Sequence, residues 1–308
     1  MHESVARAMY YCSVHLLYAS VTGSAAWALT SLRSSSATTK YWTWVLAAFN
    51  FILPVGAIID RFWAPHLTWA SPLGAIGNSV WDMTQGRTVY ALAVIWMAGM
   101  LAMLARLILR LSGERREVQV SAGRKNATSG FVVDGISVRF DPRQAAPAVD
   151  GVLHPCILLP AGIDRILSRQ ELNAVLLHEA AHARRRDNLI RLLYEVSLCV
   201  LWFHPLVWLA GMKMALYREL SCDESVIRRA QGPALVRALA KLAVPVEAKF
   251  LQATASSHLA QRVARLAGAA EPACSAASIL LTGLFAAVIV SGVVATVAHT
   301  ACCFVTKH

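Results

Sequence analysis

His178, Glu179 and His182 form the sequence H-E-A-A-H, which places two imidazoles one helical turn apart with a carboxylate between them. On an α-helix, residues i and i+4 lie on the same face, so both rings can bind one Zn²⁺. The glutamate can then accept a proton from a water at the metal. Because a charged surface helix can carry the same three residues by chance, the neighbouring sequence has to decide between the two interpretations.

The segment before the motif carries the signals of a helix start. Ser168 and Glu171 have the spacing of a capping box, in which a hydroxyl and a carboxylate satisfy the first free backbone N–H groups. Apolar residues follow as far as Leu177, and the charged run 184–187 follows the motif. The sequence therefore predicts a helix that enters a core and carries its candidate ligands in its C-terminal half.

A zinc hydrolase also needs a third protein ligand and an open fourth position. Glu219, in R-E-L-S-C-D-E, is the best candidate, and Asp223 lies one turn later on the same face. Asp223 could accept the N–H of a ligand histidine and fix its tautomer. The alternative is an ordinary solvated face. Cys222 could offer a thiolate, but a packed thiol is the favoured interpretation.

Four segments in this order resemble the BlaR/MecR family of integral-membrane zinc peptidases, which act as antirepressors and signal transducers. They are H-P-C-I-L-L-P at 154–160, H-E-A-A-H-A-R-R-R-D at 178–187, W-F-H-P-L-V-W at 202–208 and R-E-L-S-C-D-E at 218–224. The resemblance implies one Zn²⁺ per chain, bound by His178, His182 and Glu219, with Glu179 as the general base.

The resemblance further implies a gluzincin-type domain and a protein or peptide substrate, such as a BlaI/MecI-like repressor or the chain itself. The stretch 245–275, which contains Pro245 and Gly268, is expected to be exposed and open to self-cleavage. The beta-lactam receptors of the family carry a penicillin-binding sensor after their last membrane helix. Since this sequence ends at His308, it is expected to lack that sensor.

The composition predicts a membrane protein. Hydrophobic residues make up 56% of the 308 residues and charged residues 15%, against roughly 45–50% and 25% in soluble domains. The segments predicted to span the membrane are 5–29, 41–60, 88–111 and 276–300. For the first, a cleaved signal peptide is the alternative, and an uncleaved helix is favoured.

The orientation follows from the basic residues at the end of the third span and just after it, from Arg106 onward, which place that end in the cytoplasm. The predicted fold is an α+β membrane protein with about four transmembrane helices and a cytoplasmic zincin-like domain between helices 3 and 4. Its parts are a membrane domain at 1–111 with an outside loop at 61–87, the metallopeptidase domain at 112–275, and a last helix and tail at 276–308. The expected location is the inner (cytoplasmic) membrane, with the active site facing the cytoplasm.

The net charge of +11 is interpreted as basic residues facing anionic lipid headgroups of the bilayer. Since the sequence shows no helix-turn-helix and no basic–aromatic interleaving, direct nucleic-acid binding is not expected. Association of copies of the chain into a homo-oligomer is left open. The apolar stretch 188–216, interrupted at Pro205, is predicted to lie against the bilayer or to pack between the membrane and the active site, because a fifth crossing would separate Glu219 from His178.

The cytoplasmic part is predicted to hold a few short strands. Residues 131–133 and 136–140 form a hairpin around Asp134-Gly135, a short strand is considered at 117–121, and 142–149 is a loop. Residues 153–159 form a strand, placed at a sheet edge because of Pro155 and Pro160. Two interpretations of that strand stay open: a plain structural strand, or one that pairs with an extended peptide. Its predicted substrate-binding residues are Cys156, Ile157, Leu158 and Leu159.

Three functions are compatible with these features. The first is a membrane zinc endopeptidase that transmits a signal by cleaving a cytoplasmic transcriptional repressor, itself, or both. The second is a quality-control protease with many membrane substrates. The third is a non-enzymatic receptor or scaffold with structural zinc, which Glu179 argues against because a structural site needs no general base.

Overall fold

The computed structural model describes residues 2–31, 35–52, 87–122, 130–142, 144–243 and 262–266. The helices are α1 (His2–Ser31), α2 (Ala37–Ile52), α3 (Arg87–Ala122), α4 (Ile163–Ile166), α5 (Arg169–Arg185), α6 (Asp187–Val200), α7 (Pro205–Ile227) and α8 (Gly232–Ala243). The strands are β1 (Phe131–Val133), β2 (Ile136–Asp141), β3 (Ala148–Asp150) and β4 (Cys156–Pro160). A further helical segment covers 262–266. The chain is mostly helical, with one small sheet.

Helix α3 is the candidate membrane helix. Among the described residues it alone is long and apolar enough to cross a bilayer, over Tyr90–Gly113, and only 6% of its most apolar stretch is buried. Its exposed large side chains are Tyr90, Leu92, Val94, Ile95, Met97, Leu101, Leu104, Ile108 and Leu109. This agrees with the span predicted at 88–111. The strand considered at 117–121 was wrong, because the helix continues through Ala122.

One face of α3 packs closely on α6. The Trp96 Nε1 donates to the Val200 carbonyl at 2.9 Å, and the Trp202 Nε1 donates to the Trp96 carbonyl at 3.2 Å. Gly99 makes this approach possible, since a Cβ there would lie 2.1 Å from the Trp202 ring. Arg110 of α3 also forms an ion pair with Glu195 of α6.

Helices α1, α2, α6 and α7 share a hydrophobic core of their own, apart from the one beneath the sheet. Its fully buried members include Tyr41, Trp44 and Phe51 of α2, which pack against Val207 and Ala210 of α7. Helix α1 is continuous and contributes Ala19 and Ala26 to this core. The break predicted at Pro205 is present, because Pro205 is the first residue of α7.

The sheet has the order β1-β2-β4-β3. The predicted hairpin is confirmed: Asp134 and Gly135 both have positive φ, 51° and 80°, as its tight turn requires. Strand β4 pairs in parallel with β2 and antiparallel with β3, so it lies in the interior. The predicted edge position for this strand was therefore wrong. The edge on this side is β3, part of which falls in the stretch predicted to be a loop.

The sheet packs against α5, whose predicted start is confirmed. Ser168 is the N-cap, its hydroxyl accepts from the Glu171 N–H, and the Glu171 carboxylate accepts from the Ser168 N–H at 2.8 Å. Core residues on the sheet include Val138, Ile157 and Leu159, which face the apolar side of α5. The predicted outside loop, apart from Arg87, and the predicted last helix at 276–300 lie outside the described residues.

Candidate metal centre

Helix α5 presents both motif histidines to one cavity. His178 and His182 are one turn apart, their rings are edge-on at 4.9 Å between centroids, and their Nε2 atoms are 3.2 Å apart. Two neutral imidazoles at that separation would leave lone pairs directed at one another. The arrangement therefore suits a cation or a proton between the two Nε2 atoms.

Glu219 on α7 completes a triangle of donor atoms. Its Oε2 lies 3.6 Å from the His178 Nε2 and 3.8 Å from the His182 Nε2. A point equidistant from the three atoms is about 2 Å from each, the length of a zinc–nitrogen or zinc–oxygen bond. The donor types and distances thus fit a small divalent metal with three protein ligands, and Zn²⁺ is the ion that such a His₂Glu set favours.

The other ring nitrogen of His178 faces Asp223, one turn after Glu219. The His178 Nδ1 is 3.0 Å from the Asp223 Oδ1, although the angle falls short of a linear hydrogen bond. Asp223 is almost fully buried. A carboxylate at this place holds the proton on Nδ1 and leaves the Nε2 lone pair free for a metal, which is the role predicted for Asp223.

The other ring nitrogen of His182 faces Asp187. The His182 Nδ1 lies 2.6 Å from the Asp187 Oδ2, and the same carboxylate accepts two hydrogen bonds of 2.6 Å from Arg185 and one of 3.0 Å from the Tyr41 hydroxyl. From the sequence alone, Asp187 could either support a ligand histidine or cap the helix end, and the cap is the slightly favoured interpretation. Asp187 does begin α6, but its buried carboxylate orients the second histidine.

Arg262 approaches the same site from the helical segment 262–266. Its guanidinium makes two hydrogen bonds to Asp223, at 2.8 and 2.9 Å, and lies 3.4 Å from both the Glu219 Oε2 and the His178 Nε2. Only 13% of its side chain is exposed. The expectation of an exposed stretch at 245–275 was wrong for Leu266, which is buried in the core, whereas Ala264 in the same segment is exposed.

Charge coupling sets the protonation of the metal-free site. Burial alone would lower the pKa of His178, but its contacts with Asp223 and Glu219 outweigh burial and raise the pKa to about 9. Burial would also lower the pKa of His182, and the neighbouring Cys222 and Asp187 raise it well above its usual range. Burial opposes ionisation of Glu219, yet hydrogen bonds from both histidines hold its pKa well below the usual range. When no metal is bound, the site therefore favours protonated histidines beside an ionised Glu219.

Cys222 belongs to a second cluster of potential ligands, with His182 and Asp187. Arg185 already lies in that cluster, since its Nη2 is 3.2 Å from the Cys222 Sγ and 2.6 Å from the Asp187 Oδ2. A guanidinium there supplies the positive charge that a metal would otherwise bring. Cys222 is fully buried, and a packed thiol remains the better interpretation.

The donor triangle opens into a cavity of about 350 Å³. Glu179 lines the cavity, and so does the chain from Ala146 to Val149, which leads into β3. The side-chain amide of Asn188 donates to the carbonyls of Val149 and Gly151, at 2.9 and 3.2 Å, so these carbonyls point away from β4. Among the described strands, β3 thus forms the edge of the sheet beside the metal site, and Asn188 already occupies the carbonyl of its middle residue, Val149.

The predicted substrate-binding residues Cys156, Ile157, Leu158 and Leu159 do not meet this cavity. They belong to β4, whose backbone groups are already paired with β2 and β3, so β4 cannot add a peptide strand. The prediction was wrong because the three-residue strand β3 gives no alternating pattern in the sequence. Pro147, directly before β3, is the signal that could have indicated it.

The remaining predicted site residues are brought together: His178, Glu179, His182, Glu219 and Asp223 share one cavity wall or its immediate support. Two contributors were missed, and the supporting role of Asp187 was only the less favoured of two interpretations. Asp187 carried a signal, since it is an acidic residue just beyond the motif. Tyr41 and Arg262 carried none, because their approach to the site depends on the packing of distant helices.

Comparison with known proteins decides the family. The sequence matches the family described as BlaR1 peptidase M56 over residues 14–266. The chain belongs to this family. It is 30% identical to the regulatory protein BlaR1 of Bacillus licheniformis over 149 residues, 45% of this chain and 24% of that protein. It is 26% identical to the methicillin resistance mecR1 protein of Staphylococcus aureus strain Mu50 over 98 residues, 32% of this chain and 17% of that protein.

The same methicillin resistance protein of Staphylococcus epidermidis matches equally well. The chain thus spans about a quarter or less of the length of these relatives. Membership in the family agrees with a membrane protein built around a metallopeptidase domain. The matched residues include α2, α7 and α1 from residue 14 onward.

Proposed function

We propose that this protein is a membrane zinc endopeptidase that acts as a signal-transducing antirepressor, with Zn²⁺ bound by His178, His182 and Glu219. The observation that carries the proposal is the triangle of three donor atoms, each about 2 Å from a common point. The triangle opens into a cavity that Glu179 also lines. A structural zinc site would be closed by a fourth protein ligand, whereas this set leaves one position for water or substrate.

When bound, Zn²⁺ would polarise the scissile carbonyl and make an attacking water acidic near neutral pH. The carboxylate of Glu179 takes the proton from that water and delivers it to the leaving amine. Asp223 and Asp187 keep the Nδ1 protons of His178 and His182 in place, so both Nε2 atoms stay available as donors.

The edge strand β3 is the natural place for a peptide substrate. A peptide in extended form can add to the outer edge of β3 through backbone hydrogen bonds, and this holds its scissile bond along the cavity wall. Asn188 donates to the carbonyl of Val149 in the middle of β3 and to that of Gly151 just beyond it, so a peptide would pair beside this side chain. We therefore expect the substrate to be an unfolded or loop segment of a protein, since a folded strand or helix has no free backbone groups to offer.

The regulatory role is favoured over quality control by the relatives. The proteins that match this chain are named a regulatory protein and methicillin resistance proteins, which are not names of housekeeping proteases. By analogy, the substrate would be a cytoplasmic transcriptional repressor or the chain itself. The basic residues that follow Arg106 in α3 favour a catalytic domain on the cytoplasmic side of the inner membrane, within a multi-pass chain.

The decisive test compares the wild-type chain with Glu179→Gln in reconstituted membranes. We expect both to hold about one Zn²⁺, while only the wild type cleaves a peptide library or itself, as seen by mass spectrometry. Asp164→Asn, the same type of change at an exposed position, is the control and should cleave like the wild type. Undiminished cleavage by Glu179→Gln would remove that residue from the mechanism.

A second experiment separates regulation from quality control. Unrelated membrane proteins and a repressor encoded near the gene would be incubated with wild-type membranes under several candidate inducing conditions. Cleavage of the repressor or of the chain only under one condition supports the antirepressor. Constitutive degradation of many unrelated proteins, with the repressor intact throughout, would favour the quality-control protease instead.

A further inference from the structure

Helix α2 reaches the metal centre through one side chain. Tyr41 is 1% exposed, and its hydroxyl donates to the Asp187 Oδ1 at 3.0 Å while the other oxygen of that carboxylate contacts the His182 Nδ1 at 2.6 Å. The Arg185 guanidinium stacks over the tyrosine ring, 4.3 Å from its centroid, and donates to the same carboxylate. Tyr41 is thus two contacts away from a metal-binding imidazole.

The start of α2 is fastened to the helix that carries the third ligand. The backbone N–H groups of Ala37 and Thr38 both donate to the carboxylate of Glu224, and the Thr38 hydroxyl donates to the same group at 2.7 Å. Glu224 follows Asp223 directly on α7 and is 1% exposed. A carboxylate at a helix N-terminus satisfies donors that have no partner within the helix and is stabilised by the helix dipole.

The two attachments are joined to each other. The Thr38 hydroxyl lies 2.9 Å from the Ser221 Oγ, which accepts from Arg185 at 2.7 Å. Arg185 is the residue that also holds Asp187. One continuous network of buried polar groups therefore runs from the first turns of α2 to both helices that carry metal ligands. Such networks fix the positions of their members because leaving one group unpaired costs free energy.

We propose that Tyr41 is a positioning residue for the metal centre, through which helix α2 sets the orientation of His182. The proposal rests on the zinc site of the proposed function but not on its peptidase activity. A movement of α2 relative to α6 would separate the tyrosine hydroxyl from Asp187 and remove one of the hydrogen bonds that fix the carboxylate behind the ring. The N-terminal helices thereby gain a direct route to the geometry of the site.

The test uses the full chain in detergent and the variant Tyr41→Phe, which keeps the ring and removes only the hydroxyl. Zinc affinity is measured by competition with a chromophoric chelator, and ligand geometry by the absorption bands of the Co²⁺-substituted protein. We expect Tyr41→Phe to lower zinc affinity about tenfold and to shift the Co²⁺ bands, as loss of partners behind a ligand histidine does.

Tyr194→Phe is the matched control. The Tyr194 hydroxyl donates to the Val207 carbonyl at 3.0 Å, and the residue packs against the same helical core, so its loss tests general loosening of that core. The control should leave zinc affinity and the Co²⁺ bands at wild-type values. Equal changes in both variants, or none in Tyr41→Phe, would overturn the proposal.

A double-mutant cycle tests the route. In an Asp187→Asn background, Tyr41→Phe should have little further effect on zinc affinity, because its influence passes through that carboxylate. Additive losses would contradict the route. Should Tyr41→Phe not fold, Thr38→Val tests the other end of the network. We expect this variant to lose zinc affinity in the same direction but to a smaller extent. An unchanged zinc affinity in Thr38→Val would overturn the proposal.

These readouts distinguish the two proposals. A protein that binds zinc and responds to Tyr41→Phe but cleaves nothing would refute the peptidase and leave the positioning role intact. A protein that cleaves, but whose zinc affinity and Co²⁺ bands do not respond to Tyr41→Phe, would support the peptidase and refute the positioning role.

Discussion

The two histidines of the metal centre are supported by similar groups from different parts of the chain. On each side a buried carboxylate faces Nδ1 and an arginine holds the carboxylate. The His178 side takes its arginine, Arg262, from a segment late in the chain, whereas the His182 side is tied to α2 through Tyr41. The support behind His182 thus includes a direct contact from α2, whereas the support behind His178 includes one from the segment 262–266.

The geometry of the two sides differs as well. The contact from the His182 Nδ1 to Asp187 is 2.6 Å, while that from the His178 Nδ1 to Asp223 is 3.0 Å and poorly aligned. Charge-assisted hydrogen bonds strengthen as they shorten and straighten. We infer that the side connected to α2 contributes more to holding the metal than the side closed by Arg262.

The largest effect is expected when both sides are lost. The double variant His178→Ala, His182→Ala removes two of three ligands and should abolish zinc binding, taking the metal content from about one per chain to background. Elemental analysis of purified protein measures this. If the double variant kept its zinc, the metal would have to lie elsewhere.

Removing one supporting carboxylate tests the asymmetry. Asp187→Asn should lower zinc affinity by roughly ten- to a hundredfold, and Asp223→Asn by less, because each loses the charge that orients a ligand ring but the Asp187 contact is the tighter. Chelator competition on both variants gives the comparison. A greater loss for Asp223→Asn would reverse the ranking of the two sides.

As pH rises, the stability of the zinc-free protein should fall, whereas the affinity of the protein for zinc should rise. In the zinc-free protein the pKa of His178 is raised to about 9, so its charged contacts stabilise the fold fully below about pH 6.5 and lose that contribution as pH rises through about 9. Zinc must displace this proton, so zinc affinity should rise over the same range. Thermal unfolding of metal-free protein and chelator competition between pH 6 and pH 9 measure the two trends. Parallel trends would show that the raised pKa does not govern the site.

The smallest effect on the metal centre is expected from a change far from both histidines. Ser168→Ala removes the N-cap hydroxyl of α5 and should destabilise the protein by about 1 kcal/mol without changing zinc affinity, since the ligands lie in the C-terminal half of that helix. Thermal or denaturant unfolding supplies the first value and chelator competition the second. A change in affinity would mean that the start of α5 also positions the ligands.

The sequence alone was enough for the local features. The capping box at Ser168, the turn at Asp134 and the start of α7 at Pro205 depend on neighbours within a few residues, and each is present. The candidate ligands could also be found, because the chemistry of zinc demands particular residue types at helical spacing. Long-range packing could not be found this way.

The missed features share one cause. The edge strand β3 is only three residues long, so its identity depends on pairing with β4 rather than on a pattern of its own. Tyr41 and Arg262 meet the site only because distant elements fold against α5 and α7. Such contacts leave no trace in local spacing, since any buried aromatic or any arginine in a basic chain looks the same.

Arg262 also has a consequence for the order in which the site is assembled. A ribosome that has made the chain as far as α8 has already supplied all three candidate ligands, but the guanidinium that holds Asp223 has not yet been synthesised. The full set of supports comes together only after the N-terminal helices and the stretch beyond residue 261 have both taken their places. The described supports of the candidate metal centre are therefore all present only once residue 262 has been synthesised.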